Sequence, residues 1–174
     1  RELTIKKANL IASELHKLSS TVCMNLPCKV VITKCDCIVG FREYFSSFSD
    51  EMREQVLGLD LSTVDGFYDE ELFYNSWSNF IERLKSGAVS LLSSREVTDK
   101  SYSSENRLDS TAYIFSFPEH MNYLKHALEI YLKTIFERTG SFKPNLIEGV
   151  YFISATDQGV CLDPEYAAHE NKAV

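Results

Sequence analysis

Lys29-Val30-Val31-Ile32-Thr33-Lys34-Cys35-Asp36 is the stretch on which the fold turns. Val30 to Thr33 are all β-branched, the side chains that pack best on a pleated surface. Pro27 just upstream has no N–H to give to a ladder, which suits the first residue or the edge of a strand. A nearly continuous apolar run of this kind predicts a buried parallel strand. Thr33-Lys34-Cys35-Asp36 then stands at the carboxyl end of that strand, where open α/β sheets bind their ligands.

Upstream, Leu3, Ala8, Leu10, Ile11, Leu15 and Leu18 recur at helical steps and predict an amphipathic helix over about the first eighteen residues, ending in Ser19-Ser20-Thr21. Downstream, Gly40 punctuates the chain and Phe41 to Phe48 reads as a short aromatic helix. A second short helix is expected from the cap Ser49 to about Leu57, with Asp50 and Glu51 in the first turn. A longer helix should start near Asp69. Its apolar stripe runs from Leu72, Phe73 and Trp77 through Phe80, Ile81, Leu84 and Ala88 to Leu91 and Leu92, and reads as core. The Ser-rich run 93–109 reads as an exposed loop or a frayed helix end. Ala112 to Phe117 reads as a strand stopped by Pro118, and Met121 to Ile135 as a helix closed by Gly140. Gly149 to Ile153 predicts the last strand, leading into Ser154-Ala155-Thr156 and a polar tail.

The composition narrows the function. With 174 residues, 44% hydrophobic and 12% aromatic, the chain is long enough for one well-buried domain. Its net charge of -7, from 25 acidic and 18 basic residues, offers no general attraction to nucleic acid or anionic lipid, so no nucleic-acid role is expected. No apolar run approaches the ~18 residues of a membrane-spanning helix. The chain opens at Arg1 inside a helical pattern and is expected to be a segment of something longer, with any membrane anchor outside it. Five cysteines, an odd number set largely in apolar sequence, predict reduced thiols. Cys35 and Cys37 have no partners at zinc spacing, so no structural metal is expected.

No residue set predicts hydrolytic chemistry. His16, His120, His126 and His169 have no carboxylate or Cys at ligand spacing. The acidic run Asp69-Glu70-Glu71 is explained by a helix start, and no Ser stands in a nucleophile-elbow setting. Phe41, Tyr44, Phe45 and Phe48 admit two readings, a docking patch or a buried short helix.

Thr33-Lys34-Cys35-Asp36 resembles the Asn/Thr-Lys-x-Asp motif of GTPases. There the carboxylate accepts two hydrogen bonds from the N1 and N2 hydrogens of guanine, a pair of donors adenine lacks. The Lys stem lies over the base with its ammonium in water. Ser154-Ala155-Thr156 resembles the Ser-Ala-x loop that offers backbone N–H groups to the guanine carbonyl, although either loop could be an ordinary turn with Asp36 as a helix cap. The candidate guanine-base pocket is therefore Thr33, Lys34, Asp36, Ser154, Ala155 and Thr156. A phosphate-binding Gly-x-x-x-x-Gly-Lys-Ser/Thr loop is absent from the 174 residues, so no hydrolysis and no bound cofactor is expected of this segment.

The fold expected is α/β, the distal part of a P-loop GTPase-like sheet. Residues 1–40 and 145–160 would supply strands and loops, 41–144 a mostly helical insertion, and 161–174 a tail. The 118 residues from Asp36 to Ser154 far exceed the roughly 30 of a plain βα unit, which is why the insertion is inferred.

Longer segments carry a second resemblance. Leu26-Pro27-Cys28-Lys29-Val30-Val31-Ile32-Thr33-Lys34-Cys35-Asp36 followed by Gly40-Phe41-Arg42-Glu43-Tyr44-Phe45 is similar to the IcmF/TssM family. That family runs from a Leu-Pro-x-x-Val strand through Thr-Lys-x-Asp into Gly-Phe-x-x-Phe/Tyr-Phe. Gln55 to Gly58, Ile114 to Pro118 and Gly149 to Gly159 resemble further family segments in the same order. The resemblance implies an inner-membrane component of a bacterial type VI secretion system or of its type IVB (Dot/Icm) counterpart, with this segment on the cytoplasmic face. It also implies a DotU/TssL-like membrane partner and contacts with baseplate components. Some family members carry an upstream phosphate loop, leaving GTP or ATP with Mg open for the full-length protein. The departures are Cys28, Cys35 and Cys37, and Thr156 where GTPases often have Lys.

Overall fold

The computed structural model describes residues 2–46, 48, 56–98, 104–137 and 145–154, without the side chains of 94–98 and 104–109. In order these form α1 (Glu2–Val22), β1 (Pro27–Ile32), a 3-10 turn (Cys35–Cys37), α2 (Phe41–Ser46) and β2 (Gly58–Asp60). Then come α3 (Glu70–Thr98), α4 (Ser104–Asn122), α5 (Leu124–Phe136) and β3 (Leu146–Phe152). No helix among the described residues is long and apolar enough to cross a membrane. The chain divides into two compact units. One is drawn from Arg1–Val31, Gly58–Phe80 and Tyr123–Tyr151, the other from Ile32–Leu57, Ile81–Asn122 and Phe152–Val174.

The three strands form one sheet in the order β1-β3-β2. Leu146 N–H donates to Leu26 O at 3.0 Å and Ile153 N–H to Ile32 O at 2.9 Å. Both segments advance in the same sense between these bonds, so β1 and β3 run parallel. β2 pairs antiparallel with β3, Leu59 facing Val150. β3 is thus the central strand and its Ile147, Val150 and Phe152 are buried. β1 is an edge strand in which exposed and half-buried residues alternate, and the expectation that it would be buried fails. Val31 keeps 49% of its surface exposed. A β-branched run reports strand propensity, whereas burial follows from the order of strands in the sheet.

In the first unit α1 packs on α5. Ala8 of α1 and Leu128, Leu132, Ile135 and Phe136 of α5 join Phe73, Trp77 and Phe80 of α3 in its core. α1 runs past its predicted stop because its hydroxyls find partners within and beside the helix. Thr21 Oγ1 donates to Lys17 O at 2.8 Å, and Ser19 Oγ donates to Asn145 Oδ1. The helix ends on Cys23, in the left-handed region at φ 57°, with Met24 N–H reaching back to Ser19 O. This is the six-to-one bond of a Schellman cap, with Cys in the position glycine usually holds. α3 starts at the expected place, and the structure shows its cap, Leu72 N–H donating to Asp69 Oδ1 at 2.9 Å.

The second unit carries the main correction. Ala112 to Phe117, read as a strand, lies inside α4. Ile114, Phe117, Pro118 and Met121 are buried while Phe115 stays 69% exposed, which is helical spacing and not alternation. The Ser-rich run, read as an exposed loop or a frayed helix end, is helical to Thr98 and again from Ser104. Met121 belongs to α4, and the chain breaks at Tyr123 before α5. The expected short helix from Ser49 and the Gly140 cap lie outside the described residues, apart from 56 and 57, which are not helical. β2 was not anticipated; its three residues fall within the stretch read as a helical insertion.

Candidate functional site

The loop after β1 and the end of β3 meet in the second unit through three bonds. Ile153 N–H donates to Ile32 O, Cys35 N–H donates to Ile153 O at 3.2 Å, and Ser154 Oγ donates to Asp36 Oδ1 at 2.6 Å. Parallel neighbouring strands place both loops at the same sheet end, which is why residues so far apart in sequence touch. Asp36 is 7% exposed. One carboxylate oxygen is engaged by the hydroxyl, and a carboxylate retains further lone pairs for incoming N–H donors.

Lys34 is exposed and left-handed, at φ 61° and ψ 37°, and caps the 3-10 turn through its backbone. Cys37 N–H donates to Lys34 O at 3.0 Å and Ile38 N–H to Cys35 O at 3.0 Å. Asp36 therefore sits inside the turn and is not its cap, which removes the ordinary-cap explanation for its place in the motif. Thr33 is exposed beside Lys34. Of the six predicted base-pocket residues the structure places Thr33, Lys34, Asp36 and Ser154 around one loop junction; Ala155 and Thr156 lie outside the described residues.

Cys35 is buried, its Sγ 3.3 Å from Ile32 O. Desolvation by burial, aided by the nearby Asp36 charge, pushes its thiol up to about 11. It is a neutral core residue at physiological pH and neither a nucleophile nor a ready metal ligand. Cys23, Cys28, Cys35 and Cys37 form no disulfide, and Cys161 lies outside the described residues. No group of His, Cys, Asp and Glu able to hold a metal occurs among the described residues.

The motif Gly40-Phe41-Arg42-Glu43-Tyr44-Phe45 has a packing explanation. Gly40 sits at φ +83°, and a Cβ there would lie 2.3 Å from Tyr113 O and 2.9 Å from Phe117 Cβ on α4. Only glycine lets the backbone approach α4 so closely. Phe117 then meets the rings of Phe41, Tyr44 and Phe45 at centroid distances of 5.8, 4.9 and 5.9 Å. Of the two readings of these aromatics, the packed short helix is the one the geometry supports. Tyr44 is buried and donates to Leu84 O at 3.0 Å. Gly87 makes room for that hydroxyl, since a Cβ there would stand 2.1 Å from Tyr44 Oη. Gly87 lies within the stretch whose apolar stripe predicts α3, and a glycine inside a helical pattern is itself a sequence signal of close packing.

These loops belong to a mixed helix-and-strand segment whose motif ties the end of β1 to the end of β3 and seats α2 on α4. Residues 1–173 match the family model described as the IcmF-related N-terminal domain, and the chain belongs to that family. It is 27% identical over 159 residues to a protein of Pseudomonas aeruginosa described as "Type VI secretion system component TssM1". The aligned region covers 90% of this chain and 14% of that relative, so the chain spans a small part of the curated protein it matches. No solved structure matches the chain significantly.

Proposed function

We propose that this segment is a scaffold on the cytoplasmic face of the inner membrane, within an IcmF/TssM-like component of a bacterial protein secretion system. The observation that carries the reading is the family match over residues 1–173, together with the TssM1 likeness over 90% of the chain. In this reading the partners are a DotU/TssL-like membrane protein and baseplate components. The segment itself catalyses nothing, and membrane anchoring comes from other parts of the longer protein. The test is to delete the segment from the full-length protein and follow both secretion and co-purification of the DotU/TssL-like partner. Normal secretion with the partner retained would refute the role.

A second reading is favoured by one specific contact, the bond from Ser154 to Asp36. Here the sheet is the distal part of a GTPase-like sheet, and Thr33, Lys34, Asp36, Ser154, Ala155 and Thr156 recognise guanine. The phosphates, with Mg, would be held upstream. Parallel β1 and β3, with both loops at one end, support that placement. Fluorescent-nucleotide titration of the longer protein decides it. Equal affinity for guanine and adenine nucleotides, or none, counts against the pocket.

A further inference from the structure

α1 carries two apolar faces, and α5 covers one of them. Ala8 is fully buried and Ile5, Ala12 and Leu15 are partly buried. The second face holds Leu3, Leu10, Ile11, Leu18 and Val22, exposed by 66, 64, 37, 54 and 52%. Isolated exposed leucines are ordinary, but here five exposed apolar side chains share one helix face and border a central line of charge.

The charges within that strip choose its occupant. Lys7 and Glu14, both exposed, are two turns apart and lie along the middle of the strip. Leu3 and Leu10 flank that line on one side, Ile11 and Leu18 on the other. An antiparallel copy of the same helix, with the two-fold axis between residues 10 and 11, sets Leu10 beside the partner copy's Ile11 and Leu3 beside its Leu18. It also sets Lys7 beside the other copy's Glu14, twice over. A parallel pairing would instead oppose Lys7 to Lys7 and Glu14 to Glu14. The strip is therefore self-complementary in one orientation only, which is what an isologous interface requires. Glu14 already meets Lys17 of its own helix at 2.7 Å, but both side chains are more than half exposed and such a pair offers little resistance to sharing.

We propose that two copies of this chain associate through α1, antiparallel across Leu3, Lys7, Leu10, Ile11, Glu14 and Leu18. The contact spans about 22 Å of helix and lies at the small end of stable interfaces, so the expected dissociation constant is about 10–100 µM.

The test is sedimentation equilibrium of the 174-residue chain across that range, with circular dichroism to verify the fold of each variant. A concentration-dependent dimer is expected, and Leu10→Glu should abolish it. Lys7→Glu and Glu14→Lys should each weaken association about tenfold, by replacing two attractions with two repulsions. The double change Lys7→Glu with Glu14→Lys should restore it. A chain that stays monomeric at several hundred micromolar overturns the proposal and leaves the face to another part of the longer protein or to a different partner. So does a dimer indifferent to Leu10→Glu, or a double charge swap that fails to recover association.

Discussion

Replacing Gly40 with alanine should destabilise the second unit by about 2–5 kcal/mol. Two terms add. An L-residue in the left-handed region, where Gly40 lies at φ +83°, costs roughly 1–2 kcal/mol. The new Cβ would stand 2.3 Å from Tyr113 O, a backbone atom held within α4, and 2.9 Å from Phe117 Cβ. Neither neighbour is the free end of a flexible chain, so α2 and α4 must separate, at an overpacking cost of roughly 1–3 kcal/mol. Gly66 supplies the control. It too has positive φ, 76°, but its added Cβ would meet only the Leu146 side chain, at 3.2 Å. Gly66→Ala should show little beyond the conformational term, about 1–2 kcal/mol, because the Leu146 side chain needs to give by only a few tenths of an ångström. Urea unfolding followed by circular dichroism measures both, and an unchanged m-value identifies the loss as native-state destabilisation. Equal losses at the two glycines would refute the close approach of α2 to α4, since that approach is all that separates them.

Gly87→Ala should cost about 1–3 kcal/mol by colliding with the Tyr44 hydroxyl; in a Tyr44→Phe background, where that oxygen is gone, thermal melts should show a clearly smaller loss. Ser154→Ala should destabilise by about 1–3 kcal/mol, because it strips the hydroxyl donor from the buried Asp36 carboxylate; a urea midpoint equal to the parent's would argue against that bond. The Cys35 thiol, raised in the fold from 9.0 to about 11, contributes stability that is complete below pH 9 and lost as pH rises through about 11. Cys35→Ala should therefore flatten stability between those values, and an alkaline limb unchanged by the substitution would contradict the burial of that thiol.

What the sequence makes legible here depends on whether a signal is local. α1 and α3 follow from apolar spacing over many turns, and Asp69 marks its helix start because capping involves neighbours only. Ala112 to Phe117 misleads because six apolar and aromatic residues are too few to separate a period of 2 from one of 3.6; the decisive fact, an exposed Phe115 between buried Ile114 and Phe117, exists only after packing. The edge position of β1 is equally invisible, since it depends on β3 taking the centre of the sheet from more than a hundred residues away. The meeting of Asp36 with Ser154 was foreseeable, because two loops at the ends of parallel neighbouring strands must converge. The left-handed Lys34 and the accommodation of Tyr44 by Gly87 were not, as neither leaves a periodic trace.

Asp36 also poses a problem for any nucleotide assay, because the contact that suggests a base pocket is a structural tie in its own right. Asp36→Ala removes the acceptor of the Ser154 hydroxyl, so lost binding and a disturbed loop would be indistinguishable. Asp36→Asn separates them. An amide oxygen can still accept from Ser154, keeping the junction closed, while its NH2 now points a donor where the carboxylate offered an acceptor. If this residue reads guanine, the variant should bind guanine nucleotides at least about tenfold more weakly, since each lost or opposed hydrogen bond to a charged group is worth roughly 1.5–3 kcal/mol. It should gain affinity for xanthine nucleotides, whose C2 carbonyl replaces the exocyclic amine and accepts from the new NH2. If the residue serves only to fasten β1 to β3, stability should change little and neither base should respond. Paired titrations of the longer protein with guanine and xanthine nucleotides make the distinction. A variant that loses guanine affinity without gaining xanthine, while its urea midpoint also falls, would show that the loop had opened, and would count against base recognition at Asp36.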